Sequence, residues 1–161
     1  MRRLIPLPIV SLLLTCTAMP QNLPAQTAPT SLQSQIDKTR PLLIFYPSPA
    51  GSNSDTEDPR LTQQLKLLPP GDESNPELKE RQVILYLLPF DMHFDDRLSP
   101  RQAAQARRRF HIAPTDFTVI LLGKDGDEKF RSSKPVPWEQ LRGLIDAMPM
   151  RQQEMRDRQA H

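Results

Sequence analysis

The sequence predicts an α/β fold: a four-stranded mixed sheet with helices on both faces, in the order β-α-β-α-β-β-α. Three observations carry this. Two nearly continuous apolar runs, Pro41–Pro47 and Val83–Leu88, have the length of strands buried on both faces. Each is followed by a helix-start signal and apolar residues at helical spacing. A third run, Phe117–Leu122, passes through Lys124-Asp125-Gly126 into Glu128–Arg131, the pattern of a hairpin.

The chain has 161 residues, enough for one domain with a real core. Hydrophobic residues make up 37% and charged residues 25%, which suits a soluble domain. Its 18 prolines and 5 glycines follow no repeat, so they indicate stiff linkers and sharp stops.

Met1–Ala25 has two arginines at its start, an apolar run from Leu4 to Leu14, and small and polar residues after it. That is the layout of a secretory signal peptide, with candidate cleavage points after Ala18 or Ala25. The apolar run is short for a bilayer span, and Pro6 and Pro8 disfavour a buried helix. A periplasmic or secreted location is therefore expected. Loss of this segment leaves 19 of the 21 basic residues against 19 acidic ones. A neutral domain has no long-range field to draw it to nucleic acid or anionic lipid. Contact with a membrane is expected only through the signal peptide or a lipid on Cys16, since Leu13-Leu14-Thr15-Cys16 faintly resembles a lipobox. The expected layout is a signal peptide over 1–25, a linker over 26–40 with a short helix near Leu32–Lys38, and a domain over 41–158.

Along the domain, Pro41–Pro47 is the first strand and Ser48–Glu57 a loop by composition. Asp58-Pro59 supplies an N-cap followed by proline at the first helical position. Leu61, Leu65 and Leu68 then define a helix over Pro59–Leu68, which Pro69-Pro70-Gly71 stops. Asp72–Gln82 reads as a loop or a frayed helix, Val83–Leu88 as the second strand and Pro89–Leu98 as a loop. Ser99-Pro100-Arg101-Gln102 carries a capping-box pattern. Ala103, Ala106 and Phe110 mark the core face of the helix that follows. Arg101, Arg107, Arg108 and Arg109 form its outer face, three of them in the last turn, where cations complement the helix dipole.

After the Phe117–Arg131 hairpin comes a helix with Trp138, Leu141, Leu144, Ile145 and Met148 on one face. Pro149 interrupts it, and Met150–Arg158 offers a further short polar helix. Two right-handed crossovers are expected, with the first two long strands parallel and the last two antiparallel. This is the thioredoxin-like arrangement.

Four stretches, Pro41–Phe45, Asp58-Pro59-Arg60-Leu61, Gly123-Lys124-Asp125-Gly126 and above all Ile145–Met155 (IDAMPMRQQEM), resemble the P-DUDES family of peroxiredoxin-like domains. That family includes exported bacterial proteins and domains of vertebrate extracellular-matrix proteins. The resemblance spans about residues 41–157. It implies a thioredoxin-like fold, export and no established enzymatic activity, and it carries over no site residues. Pro69–Asn75 looks like an insertion. Ordinary thioredoxins place a cis-proline just before the third strand; here Thr118, not Pro114, occupies the equivalent place.

Thioredoxin-like oxidoreductases hold a nucleophilic cysteine after the first strand, where the following helix N-terminus lowers its pKa. The Tyr46–Pro59 stretch has no cysteine, and Cys16 is the only one in the chain. Serine neither ionises near neutrality nor forms disulfides, so thiol-disulfide and peroxidase activity are not expected, and no catalytic residue or cofactor is assigned. The helix N-terminus with Ser48, Ser52 and Ser54 is either an ordinary loop or an anion or polar-ligand site. A ligand surface would include Tyr46, Ser48, Asp116 and Thr118. Asp91, His93 and Asp95 are the weak metal candidates, without the usual histidine spacing or cysteine partners. Arg107–Arg109 reads as a solvated helix face rather than a nucleic-acid patch, since no aromatics interleave.

The leading functional expectation is an exported non-catalytic domain that binds a protein, a peptide or a cell-envelope component. The alternatives are an enzyme of non-thiol chemistry, with metal assistance through Asp91, His93 and Asp95 as one form of it, and a small structural envelope lipoprotein.

Overall fold

The computed structural model of the chain describes residues 31–47, 58–71, 73–90 and 97–160. Its centre is β1 (Arg40–Tyr46), buried along its whole length. On one side β1 pairs in parallel with β2 (Val83–Pro89), Arg40 opposite Val83 and Tyr46 opposite Pro89. On the other side it pairs antiparallel with β3 (Thr118–Leu122), Phe45 opposite Thr118. β3 pairs antiparallel with β4 (Glu128–Ser132), which gives the order β2-β1-β3-β4. A parallel pair joined in this order to an antiparallel hairpin is the thioredoxin-like topology. Only the first of the two expected crossovers links parallel neighbours. The chain after β2 returns on the far side of β1 and runs opposite to it.

The period-two alternation of each strand divides the core into two layers. Leu42, Ile44, Val83, Val119 and Leu121 face one way, against Leu61, Leu78, Trp138, Leu141 and Ile145. These come from α1 (Pro59–Lys66), α2 (Pro76–Glu80) and α4 (Trp138–Asp146). Leu43, Phe45, Tyr86, Leu88 and Ile120 face the other way, against Ala106 and Phe110 of α3 (Pro100–Arg109). Helices thus cover both faces. β4, by contrast, shows its charged residues to solvent, which discourages edge pairing.

The helix starts follow the local signals. Asp58 accepts from Arg60 N ahead of α1, and Ser99 and Gln102 close a reciprocal capping box ahead of α3. Within Asp72–Gln82 the chain forms α2, capped by Asn75, with proline at its first turn. Pro149 does interrupt α4, and it does so as the first residue of α5 (Pro149–Gln159). Leu32–Gln35 forms a short 3₁₀ turn. The hairpin turns at Gly126, where φ is +79°.

Two expected side-chain assignments fail. Leu144 is 36% exposed, because the buried stripe of α4 runs through Trp138, Leu141 and Ile145 and leaves it at the margin. Arg107 is buried rather than solvated. Its guanidinium lies 5.4 Å from the Phe45 ring centre and 5.3 Å from that of Phe90. It also donates to the Leu88 carbonyl. A long charged side chain can lie inward where aromatic faces and a carbonyl are within reach.

Candidate functional site

The end of the sheet where β1 and β2 finish and β3 begins is where this topology places ligands. Tyr46 closes β1 and Thr118 opens β3, both buried. The Phe45–Thr118 register brings these strand ends side by side. Asp116 is half-buried just ahead of them and accepts from Ala113 N at 2.9 Å. Ser48, Ser52 and Ser54 lie outside the described residues, as do Asp91, His93 and Asp95. Among the described residues no group of three His, Cys, Asp or Glu is placed to hold a metal ion.

The N-terminus of α1 is occupied by the chain's own carboxylate. Asp58 Oδ1 accepts from Arg60 N at 2.8 Å and from Arg60 Nε at 3.0 Å, and Oδ2 accepts from Arg60 Nη2 at 2.7 Å. The hydrogen bond from the Arg60 side chain holds the Asp58 carboxyl below the usual carboxylate range, against the opposing effect of burial. The Arg60 guanidinium in turn lies 5.3 Å from the centre of the Phe117 ring, immediately before β3. Partial positive charge at this helix end is therefore already met by a fixed anion. A second anion binding there would have to displace Asp58.

Beside this end runs a groove of about 760 Å³ along α3. One wall is a helical stripe that includes Pro100, Ala103, Ala104 and Arg108; Phe90 and Ile112 contribute to the other walls. Phe90 is 37% exposed, a large aromatic left at the surface. Nothing in the helical pattern of α3 expects this groove. Ala106 and Phe110 are buried in the core and Ala103 packs partly buried against it, as the expected apolar face requires, while Ala103 also reaches the groove. The available signal was Ala104 beside Ala103: two small residues widen the apolar stripe and leave room above it.

The densest set of perturbed ionisable groups lies elsewhere, at the start of β1 and β2. Arg151 of α5 is wholly buried and donates to Glu80 Oε1 at 2.6 Å, Glu80 O at 3.1 Å and Asp146 Oδ1 at 3.2 Å. Arg81 donates to Asp146 Oδ2 at 2.8 Å. Glu154 receives Arg40 Nη2 at 3.0 Å and Lys124 Nζ at 2.7 Å. The Arg151 hydrogen bond pulls Glu80 below the usual carboxylate range. Burial pushes Asp146 and Glu154 up, but the cations beside them outweigh it, and both end below the usual range. Asp146, Arg151 and Glu154 all come from the Ile145–Met155 stretch, so its distinctive residues are a fastening of α5 to the strand starts. Every carboxylate here is matched by a cation within the fold, which marks the cluster as structural.

Residues 31–154 match a family model described as a domain of unknown function, DUF4174. No curated protein matches the chain. Among solved structures, the crystal structure of Trxlp from Edwardsiella tarda EIB202 is similar, with 20% sequence identity and a TM-score of 0.44. That likeness covers 70% of this chain and 87% of the other.

Proposed function

We propose, from the premise that this chain belongs to the DUF4174 family of domains of unknown function, that it is an exported, non-catalytic thioredoxin-like domain that binds a protein, peptide or cell-envelope component. The observation that carries the reading is the Asp58–Arg60 clamp. Where thiol oxidoreductases of this fold need a nucleophile at a polarising helix end, this chain has a neutralised helix end and no cysteine within the domain. Beside that end runs a surface groove with an exposed aromatic, which supports a binding role. Export is supported by the signal-like layout of Met1–Ala25, and the resemblance to the P-DUDES family agrees with it.

Three measurements test this reading. Purified protein should neither reduce insulin disulfides nor consume peroxide above the buffer rate; turnover in either assay would remove the non-catalytic claim. Crosslinking in the native envelope followed by capture of the protein should return one reproducible partner. Mass spectrometry of the mature N-terminus should show cleavage after Ala18 or Ala25; an intact Met1 in protein recovered from the cells would contradict export.

A further inference from the structure

α5 is attached to the domain differently from the helices before it. Each of α1 to α4 buries an apolar side chain in the core, whereas the only buried residue of α5 is Arg151. Neither core layer includes a side chain from Pro149–Gln159, and Met150 is exposed. The side-chain ties of α5 to the described residues around it are charged. Arg151 donates to Glu80 and Asp146, and Glu154 accepts from Arg40 and Lys124. Near the helix end, Arg158 Nη2 donates to Glu80 O at 3.3 Å. The acids of these pairs are only partly covered, and an open cavity of about 810 Å³, lined in part by Glu80, Lys124 and Glu154, brings solvent to them.

The joint is equally simple. One extended residue, Met148 (φ −67°, ψ 137°), connects the end of α4 to α5, and no side chain caps the start of α5. Met148 itself packs against the core, so it would stay behind if the helix left.

We propose that α5 is a charge-latched strap, which leaves the strand-start end of the sheet as a unit from a hinge at Met148 while both core layers stay folded. A segment held by a few polar ties and no core side chain belongs to the least stable part of a fold. Release takes Glu154 away from Arg40 and Lys124, and among the described residues it is the only carboxylate that either meets. Asp146 and Glu80 keep Arg81. The open form therefore bares two uncompensated cations at the start of β1, at the opposite end of the sheet from Tyr46 and Thr118.

Hydrogen exchange of the full purified protein, measured by NMR over a range of urea concentrations below the unfolding transition, tests this. A free helix of eleven residues is marginal in water, so release also opens its amides to exchange. The amides of Gln153, Glu154 and Met155 should exchange about a hundredfold faster than those of Leu43, Ile44 and Phe45, as local opening predicts. Their rates should rise only shallowly with urea, because little surface is exposed on release, while the β1 rates rise steeply. E154Q should speed exchange in α5 by about tenfold or more, the loss of a charge-assisted hydrogen bond. M155A, which trims the half-buried apolar side chain of α5, should change it by less than about threefold. Equal rates and equal urea slopes in α5 and β1 would overturn the strap, since the helix would then open only with the whole fold. An M155A effect as large as that of E154Q would overturn the charge latch.

Discussion

Replacing Arg151 with methionine is the sharpest probe of how this fold is closed. The guanidinium is wholly buried and donates to a carbonyl and two carboxylates. Removing one partner of a buried ion pair costs roughly 3–5 kcal/mol when the other is stranded. Here the acids are not fully stranded. Asp146 keeps Arg81, Glu154 keeps Arg40 and Lys124, and the Glu80 side chain is 48% exposed and can rehydrate. The expected loss is therefore about 2–3 kcal/mol. For a domain of this size it corresponds to a fall in Tm of roughly 6–12 °C. Urea and thermal unfolding followed by the fluorescence of Trp138, the only tryptophan, measure it. The pH dependence is equally specific. Glu80, Asp146 and Glu154 have folded-state pKa values below their ordinary ones, so the unfolded chain binds more protons. Their contribution is complete above the ordinary carboxylate range and is lost as pH falls through the lowered values. The gap between wild type and R151M should shrink on acidification below about pH 4. A variant within about 0.5 kcal/mol of wild type at neutral pH, or more stable than it, would refute the claim that charge pairing fastens α5.

Three further outcomes test other parts of the fold. Gln64 is wholly buried, donating to Val136 O at 2.9 Å and accepting from Val136 N at 2.7 Å. Q64A strands both backbone groups and should cost about 2–4 kcal/mol in urea unfolding. D58A removes the α1 cap and should cost about 1–2 kcal/mol at neutral pH. Because the Asp58 pKa is lowered in the fold, that deficit should fade as pH falls through the lowered value. At Gly126, φ is +79° and an added Cβ would lie 3.2 Å from Ile36 Cδ1, so G126A should cost about 1–2 kcal/mol in thermal unfolding.

Much of the architecture was legible because its signals are local. Pro41–Pro47 and Val83–Leu88 announce buried strands by continuous apolarity, and the observed strands begin and end within one residue of those bounds. Asp58-Pro59 and Ser99-Pro100 announce helix starts because capping involves residues two or three positions apart. The short α2 was harder to read, since five residues give too little periodicity to separate a helix from a loop. The candidate site was legible mainly as a missing cysteine. Its groove was not, because a cavity depends on how far one element stands from another.

What the sequence by itself determined is therefore the set of elements, their order and the lack of a thiol in the domain. Only the tertiary structure decided which charges go inside. Arg107 turned inward because the fold set the rings of Phe45 and Phe90 within reach of its guanidinium, 62 and 17 positions away along the chain. Arg40 is buried because it pairs with Glu154, 114 positions distant. A charged residue reads as exposed in sequence because burying it costs desolvation energy. Whether a partner offsets that cost is settled by the packing of distant elements, and no local pattern records it.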